Sequence, residues 1–247
     1  FFDDTHEWWS IHAYGDAPTF QGSTATELGT CVHAAAAMYF DTRAVDRAAI
    51  DAYISTLSSD FDIVEIRRQW PIMAQALINE FLMRNLGTSS EEFVSTQLAP
   101  SIYLAGSIDM YDSARACIID YKTIGSLDTA RIPTSFPRAY YFQQLCYAYI
   151  LRAQGRPVST LKLVYVSRDN TGRISETTGK PLKDYPSTVS VLTHVITPDD
   201  WSLIESCLKL ITESIQLWQS NPEYRHIICQ DYRRKVKPKP KLFKDPQ

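Results

Sequence analysis

Apolar residues recur at helical spacing in five parts of the chain. The Ala-rich stretch ATELGTCVHAAAAMYFDT predicts a helix, with Thr24 or Thr26 as its cap. Two further helices have typical start signals, because Pro137 lies near the start of one and a Thr-x-x-Asp capping sequence begins the other at Thr197. The predicted helices cover residues 25–42, 45–57, about 67–86, 137–154 and 197–219.

Short apolar runs between polar turns predict the strands. SIYLAGSIDMY and ARACIIDYKT form a predicted hairpin around the turn Asp112–Ser113–Ala114, and LKLVYVSRD, RISETT and TVSVLTHVI predict three more strands. This order of elements predicts an α/β fold with a mixed central sheet flanked by helices, and a right-handed crossover after the hairpin. Since no repeat or long linker divides the chain, we expect residues 1–247 to form one domain.

Composition excludes several classes of protein. No run of eighteen apolar residues is present, so no membrane span or membrane partner is expected. The five cysteines are scattered without a CxxC pair, which indicates reduced thiols in an intracellular protein and gives no zinc or iron–sulfur signature. The acidic, aromatic start of the chain is also unlike a signal or transit peptide.

The net charge of −3 is unevenly distributed. Residues 225–247 carry eight Lys and Arg against two Asp, so a basic C-terminal tail follows an acidic body. Such a tail is typical of nucleic-acid contacts. The alternation of Pro and Lys in KVKPKPKLFK is equally typical of a solvated, extended arm, and the two interpretations stay open.

Two acids and a lysine interrupt the predicted hairpin. Side chains alternate along a strand, so Asp120 and Lys122 point to the same side, and Asp109 lies on the side opposite to Ile108 and Met110. Two carboxylates on a sheet face suit Mg²⁺, and a lysine beside them would stabilise charge on a phosphate. The alternative is an ordinary hairpin with its acids in solvent.

The predicted register raises a difficulty for a shared ion. If the hairpin turns at Ser113, Asp120 lies opposite Gly106, and Asp109 lies three residues further along, about 10 Å away. A bulge, bend or fork in the strands would then be required. Gly106 would leave room for an ion and suits a kinked strand.

Four motifs resemble the PD-(D/E)xK nuclease superfamily, in the form used by RecB-like exonuclease domains. That form combines Gly-x-x-x-His on a helix, Gly-x-x-Asp on a strand, Asp-Tyr-Lys-Thr on the next strand and Gln-x-x-x-Tyr on a later helix. Here the motifs are Gly29 with His33, Gly106–Asp109, Asp120–Thr123, and Gln143 with Tyr147. They occur in the family order over about residues 26–152, so the resemblance implies a restriction-endonuclease-like core there.

The resemblance also assigns roles to these residues. It implies that Asp109, Asp120 and Lys122 are catalytic. It implies one or two Mg²⁺ or Mn²⁺ ions whose ligands are His33, Asp109, Asp120 and the backbone carbonyl of Tyr121. Substrate contacts, or the orientation of the lysine, would fall to Gln143 and Tyr147, with Gln144 and Tyr149 as the alternative pair.

The function implied is a metal-dependent DNA exonuclease that leaves 5′-phosphates, in recombination, repair or end processing. Its setting would be the cytoplasm of a bacterial or phage-infected cell. The partners would be DNA ends and a helicase, single-strand-binding or annealing protein. Some relatives hold an iron–sulfur cluster on four cysteines, but only Cys207 and Cys229 lie near this C-terminus, so no cluster is expected. A non-catalytic DNA-binding or scaffolding module and a nucleotide phosphatase are the alternatives.

Overall fold

The computed structural model describes residues 22–125, 132–175, 177–181 and 183–221. Its helices are α1 (Thr24–Thr42), α2 (Arg47–Ser55), α3 (Ile63–Leu77), α4 (Arg138–Ala153) and α5 (Pro198–Ser220), and a π-helical turn, Ile78–Leu82, extends α3. Its strands are β1 (Ser89–Ala99), β2 (Ile102–Asp112), β3 (Cys117–Ile124), β4 (Thr160–Ser167) and β5 (Val189–Val195). No helix within these ranges is both long and apolar enough to cross a bilayer.

Contacts divide the chain into two compact units. One unit, Gly22–Glu205, contains all the strands named above, and the other contains the remainder of α5 from Ser206. The single domain over residues 1–247 therefore stays a prediction. The basic tail, residues 225–247, lies outside the described ranges.

The five strands form one mixed sheet in the order β1-β2-β3-β4-β5. Neighbouring strands are antiparallel except β3 and β4, which are parallel. Parallel neighbours need a crossover connection, and α4 lies between them in the chain, as predicted. The mixed sheet with flanking helices confirms the predicted fold class.

The helices cover opposite faces of the sheet. Cys117, Ile119 and Tyr121 of β3 belong to a buried apolar cluster with residues of α1, α2 and α3. Lys122 has the opposite parity, and its ammonium lies 4.9 Å from the centre of the Tyr140 ring on α4. Because successive side chains point to opposite faces, β3 is enclosed between the two groups of helices.

Most predicted helix ends are close to those observed. The predicted cap of α1, Thr24 or Thr26, was wrong. Ser23 is the N-cap, because its Oγ accepts the Thr26 N–H at 3.1 Å. The capping sequence before α5 is confirmed: Asp200 Oδ2 accepts the Thr197 N–H at 2.7 Å, and the Asp200 N–H donates to Thr197 Oγ1 at 3.3 Å. After α4 the chain turns at Gly155, whose φ of +75° is strained for any residue with a Cβ.

The strand prediction failed in two places, with one strand predicted wrongly and one strand missed. RISETT is not a strand, since among its described residues only Ile174 makes a β-bridge, to Pro181. The edge strand β1 was not predicted at all. Only Val94 in it is buried, so the alternation of apolar and polar residues that identifies a half-buried strand is missing.

Candidate active site

The turn between β2 and β3 is longer than predicted, which changes the relative position of the two acids. The backbone ladder runs from Asp112 paired with Cys117 to Met110 paired with Ile119. Continuing this register by one residue sets Asp109 opposite Asp120. The separation of about 10 Å along the strands, which the predicted register required, therefore does not arise.

Gly106 serves a different purpose from the predicted one. It does not lie opposite Asp120, and the space above it is filled by the ring of Tyr147 on α4. A Cβ on Gly106 would lie 2.5 Å from Tyr147 Cε1, closer than such contacts permit. The absence of a side chain lets the aromatic ring pack on the strand.

The strands separate at Asp109, so a fork replaces the regular ladder. Within the described ranges, β2 and β3 share no backbone pair beyond Met110 and Ile119. Asp109 Oδ2 instead accepts the Tyr121 N–H at 2.7 Å. On the other side, the ladder between β1 and β2 omits Glu91, whose φ is +49°. The Asp109 side chain thus takes the place of a backbone acceptor between β2 and β3.

His33 brings α1 to this fork. Its Nε2 lies 3.0 Å from the carbonyl oxygen of Tyr121, and its Nδ1 lies 3.4 Å from Asp109 Oδ1. The same nitrogen is 4.0 Å from Glu91 Oε1. The imidazole therefore connects a helix, the carbonyl of β3 and a carboxylate of β2, and the predicted ligand role of these groups stays a prediction.

Gly29, one helical turn before His33, lets α1 approach the sheet closely. A Cβ at this position would lie 3.2 Å from Thr123 Oγ1, which is a tight contact. Beside it a cavity of about 540 Å³ is lined by Thr26, Gly29, Thr30, His33, Ala34 and Glu91. A substrate in this cavity would reach the imidazole directly.

The described residues fit a divalent ion by their chemistry. One donor atom each from His33, Glu91 and Asp109 lies within 4.8 Å of the others. Carboxylate oxygens with one imidazole nitrogen are suitable ligands for Mg²⁺ or Mn²⁺. Glu91 was not predicted, and Asp120 is not part of this cluster. The only sequence signal for Glu91 was that it forms an acidic pair with Glu92 before FVST. Hydrophobic periodicity does not detect such a pair.

Asp120 forms an ion pair with Lys122 at the buried side of the fork. Only 2% of Asp120 is exposed, and Lys122 Nζ lies 2.7 Å from its Oδ2. Lys122 is the partner of this oxygen among the described residues. A carboxylate this deeply buried needs such a partner, because an isolated charge in the interior is costly.

Burial and neighbouring charges set the charge states in the site. Burial and the Asp109 charge raise the pKa of Asp120 to about 6, although Lys122 opposes them. Burial also raises the pKa of Asp109, but His33, Lys122 and the Tyr121 N–H outweigh it and bring that pKa below its usual range. Burial lowers the pKa of His33, yet the bond to Asp109 prevails and raises it. Asp109 is therefore held ionised, whereas Asp120 changes its charge near pH 6.

The downstream helix α4 places the predicted substrate-contact pair together. Gln143 Nε2 donates to the Tyr147 hydroxyl at 2.9 Å. In the alternative pair, Gln144 is fully buried and its amide donates to the Lys162 carbonyl at 3.2 Å. This bond ties α4 to β4, so the geometry favours Gln143 and Tyr147 as the pair near the site. Their role in substrate contact stays a prediction.

Together these observations define an α/β protein with a candidate metal centre at a fork in its sheet. The model of the PD-(D/E)XK nuclease superfamily matches residues 9–231, and the chain belongs to this superfamily. The predicted resemblance is thereby confirmed at the level of the superfamily.

Three solved structures match most of this chain. A candidate exonuclease from Eubacterium rectale shares 13% identity with this chain, at a TM-score of 0.50 over 85% of this chain and 79% of that one. A phage-related exonuclease from Haemophilus somnus 129PT shares 14%, with a TM-score of 0.44 over 84% and 81%. LHK-Exo in complex with dAMP shares 14%, with a TM-score of 0.34 over 80% and 97%. The curated proteins gave no match.

Proposed function

We propose that this chain is a metal-dependent nuclease that hydrolyses phosphodiester bonds of DNA, and that it acts as an exonuclease. The single observation that carries the proposal is the fork, where the Asp109 carboxylate accepts the Tyr121 N–H and Lys122 pairs with Asp120 on either side of that residue. The superfamily supports a nuclease, and the RecB-like form of the motifs supports the exonuclease.

The proposed metal ligands are His33, Asp109, Asp120 and the Tyr121 carbonyl, and the geometry adds Glu91 to them. A bound Mg²⁺ or Mn²⁺ would activate a water molecule and neutralise charge on the phosphate. The chain's own contribution is to hold these donors in place, because Asp109 is fixed to the Tyr121 N–H and His33 lies against the Tyr121 carbonyl.

Lys122 is the proposed phosphate contact. Burial lowers the pKa of Lys122, but the carboxylates of Asp120 and Asp109 outweigh that effect and raise it, so the ammonium stays charged at neutral pH. It would donate to a phosphate oxygen whose negative charge increases as the attack proceeds. If water attacks the phosphorus and the bond between phosphorus and O3′ breaks, the products carry a 5′-phosphate and a 3′-hydroxyl.

Recombination, repair or end processing is the proposed setting, together with a helicase or annealing partner. The basic tail, residues 225–247, is proposed to add phosphate contacts. A non-catalytic DNA-binding module is the alternative. The ion pair between Lys122 and the nearly inaccessible Asp120 supports catalysis instead, because charges buried without a function are costly.

End-labelled linear DNA and closed circular DNA, incubated with Mg²⁺ or Mn²⁺, test the proposal. We expect mononucleotide release from linear DNA, survival of the circles and loss of activity with EDTA. Asp120→Asn should abolish cleavage. Asp112→Asn is the matched control, because it removes another buried carboxylate of the same hairpin, one whose bonds are to residues of the turn, such as Arg115. DNA binding without cleavage by the wild-type protein would favour the alternative.

A further inference from the structure

A second cavity lies between the start of α4 and strand β5. It has a volume of about 370 Å³, and its walls include Phe136, Tyr141, Leu192 and His194. None of these residues belongs to the four sequence motifs or to the candidate metal centre. The cavity is therefore separate from the proposed catalytic residues.

His194, in the wall of the cavity, lies on the same face of the sheet as Lys122. Register pairs Ile118 with Leu161 and Leu161 with His194, and laterally paired residues point to one face. Ile118 has the same parity as Lys122 in β3. Lys122 is level with Tyr165, four residues from Leu161 along β4, or about 13 Å. The sheet residues between the two places, such as Ile118 and Leu161, are buried. The start of α4 reaches both places, because Tyr141 lines the cavity and the ring of the neighbouring Tyr140 lies 4.9 Å from the Lys122 ammonium. A nucleic-acid strand that passes the start of α4 could therefore contact the proposed catalytic lysine and enter the cavity.

The walls of the cavity are aromatic and its rim is polar. The His194 ring meets the Phe136 ring and the Tyr141 ring edge to face, with centroids 6.0 and 5.3 Å apart. Thr134, Ser135 and Thr193, which carry hydroxyl groups, also line the cavity. Flat aromatic walls with hydroxyls at the edge are suited to a nucleobase, since bases stack on aromatic side chains with little sequence preference.

A buried carboxylate holds two of these walls in place. Asp200 is 8% exposed, and its Oδ2 lies 2.9 Å from His194 Nε2. The Tyr141 hydroxyl donates to Oδ1 of the same carboxylate. The capping box of α5 requires only the bonds between Asp200 and Thr197. The two additional bonds fix the imidazole and the phenol ring, which is the preorganisation that a binding pocket needs.

We propose that Phe136, Tyr141 and His194 form a pocket for one nucleobase of the DNA strand that occupies the catalytic site. The inference rests on the proposed function for the identity of the ligand. The pocket would hold the strand at a fixed distance from Lys122, so the contribution of one base to binding should depend on its position in the strand.

Abasic substitution tests this directly. Single-stranded oligonucleotides with one abasic site at successive positions are bound to the protein in an Asp120→Asn background, which keeps the DNA intact. We expect a loss of affinity of about tenfold at one position and small effects elsewhere, as for the loss of one stacked base. Phe136→Ala should weaken binding of intact DNA by a similar factor and abolish the effect of the abasic site at that position.

Phe93→Ala is the matched control, because Phe93 is 70% exposed on β1, at the opposite edge of the sheet from β5. It should leave the abasic profile unchanged. If Phe136→Ala lowers the melting temperature, His194→Ala provides a second test of the same position. In the wild-type background, Phe136→Ala should raise KM for single-stranded DNA and leave kcat unchanged.

The failures of the two proposals are distinguishable. A flat abasic profile, or an unchanged profile in Phe136→Ala and His194→Ala, overturns the pocket even if the wild-type protein cleaves DNA. A wild-type protein that binds DNA with a single sensitive position but does not cleave it overturns the catalytic proposal and retains the pocket.

Discussion

Asp109 lies one residue beyond the last ladder pair of the β2–β3 hairpin, Met110 with Ile119, and its carboxylate accepts the backbone N–H of Tyr121 at 2.7 Å. The same side chain therefore completes the sheet and faces His33 with its other oxygen, at 3.4 Å. One carboxylate therefore has both a structural role, as a backbone acceptor, and a proposed chemical role, as a metal ligand.

Asp109→Ala should lose both stability and metal binding. The change removes the acceptor of a buried N–H, which costs about 1–3 kcal/mol of unfolding free energy. Asp109→Asn keeps an acceptor oxygen and should be less destabilising, yet it should also lose cleavage because a charged ligand is missing. Urea unfolding and calorimetric titration with Mn²⁺ measure the two effects. An Ala variant as stable as wild type would contradict the structural role.

Glu91→Gly should stabilise the protein and impair metal binding. Glu91 has a φ of +49°, a left-handed conformation that costs about 1–2 kcal/mol with a side chain and little with glycine. The carboxylate it removes lies within 4.8 Å of the His33 and Asp109 donors. Glu91→Gln is the control, because it keeps the strained conformation and removes only the charge. A melting temperature of Glu91→Gly below that of Glu91→Gln would refute the strain.

Gly106→Ala should destabilise the fold and reduce cleavage, since its Cβ would collide with the Tyr147 ring at 2.5 Å. Overpacking of this kind typically costs about 1–3 kcal/mol. Combining it with Tyr147→Ala should recover part of the stability but not the cleavage, so the double-mutant cycle should show a coupling. Gly125→Ala is the control, because among the described residues, its chain neighbours aside, no atom lies within 4 Å of the added Cβ. Equal losses of stability in the two alanine variants would reject the predicted clash.

The stability contributed by Asp200 should disappear in acid. Burial raises the pKa of this carboxyl, but the bonds from Tyr141, Thr197 and His194 outweigh it and lower the pKa to about 2. An aspartate in an unfolded chain titrates near pH 3.9. Because the folded pKa is the lower one, its contribution is complete above about pH 4 and is lost as the pH falls towards 2.

The difference in unfolding free energy between wild type and Asp200→Asn should therefore shrink over that interval. Denaturant unfolding at a series of pH values measures it. Asp199→Asn removes an exposed carboxylate from the same turn of α5 and controls for the charge at the helix start. A difference that stays constant between pH 5 and pH 2 would show that Asp200 is not held ionised by these bonds.

Motif spacing predicted which residues meet, but not how the backbone brings them together. His33, Asp109 and Tyr121 were assigned to one site from the sequence, and the structure brings them within hydrogen-bonding or ion-pairing distance. The register was wrong because it depends on turn length. Arg115 bonds Asp112, and Ala116 takes a φ of +48°, a conformation that composition does not reveal.

Glu91 was missed for a related reason. Its side chain reaches the site only because β1 pairs with β2 and its backbone is left-handed at this residue. Neither property has a counterpart in the hydrophobic pattern, since β1 is a polar edge strand with a single buried residue, Val94. Contacts that arise from tertiary pairing are the part of the site that local sequence patterns do not specify.

The double use of Asp109 restricts how this chain could change over generations. A descendant that gave up catalysis could replace Lys122 and keep its hairpin. It could not easily replace Asp109, because the Tyr121 N–H would then need another acceptor. Among inactive descendants with the same fold, we therefore expect an aspartate or asparagine to persist at position 109 after the lysine has disappeared, as a remnant of a lost reaction.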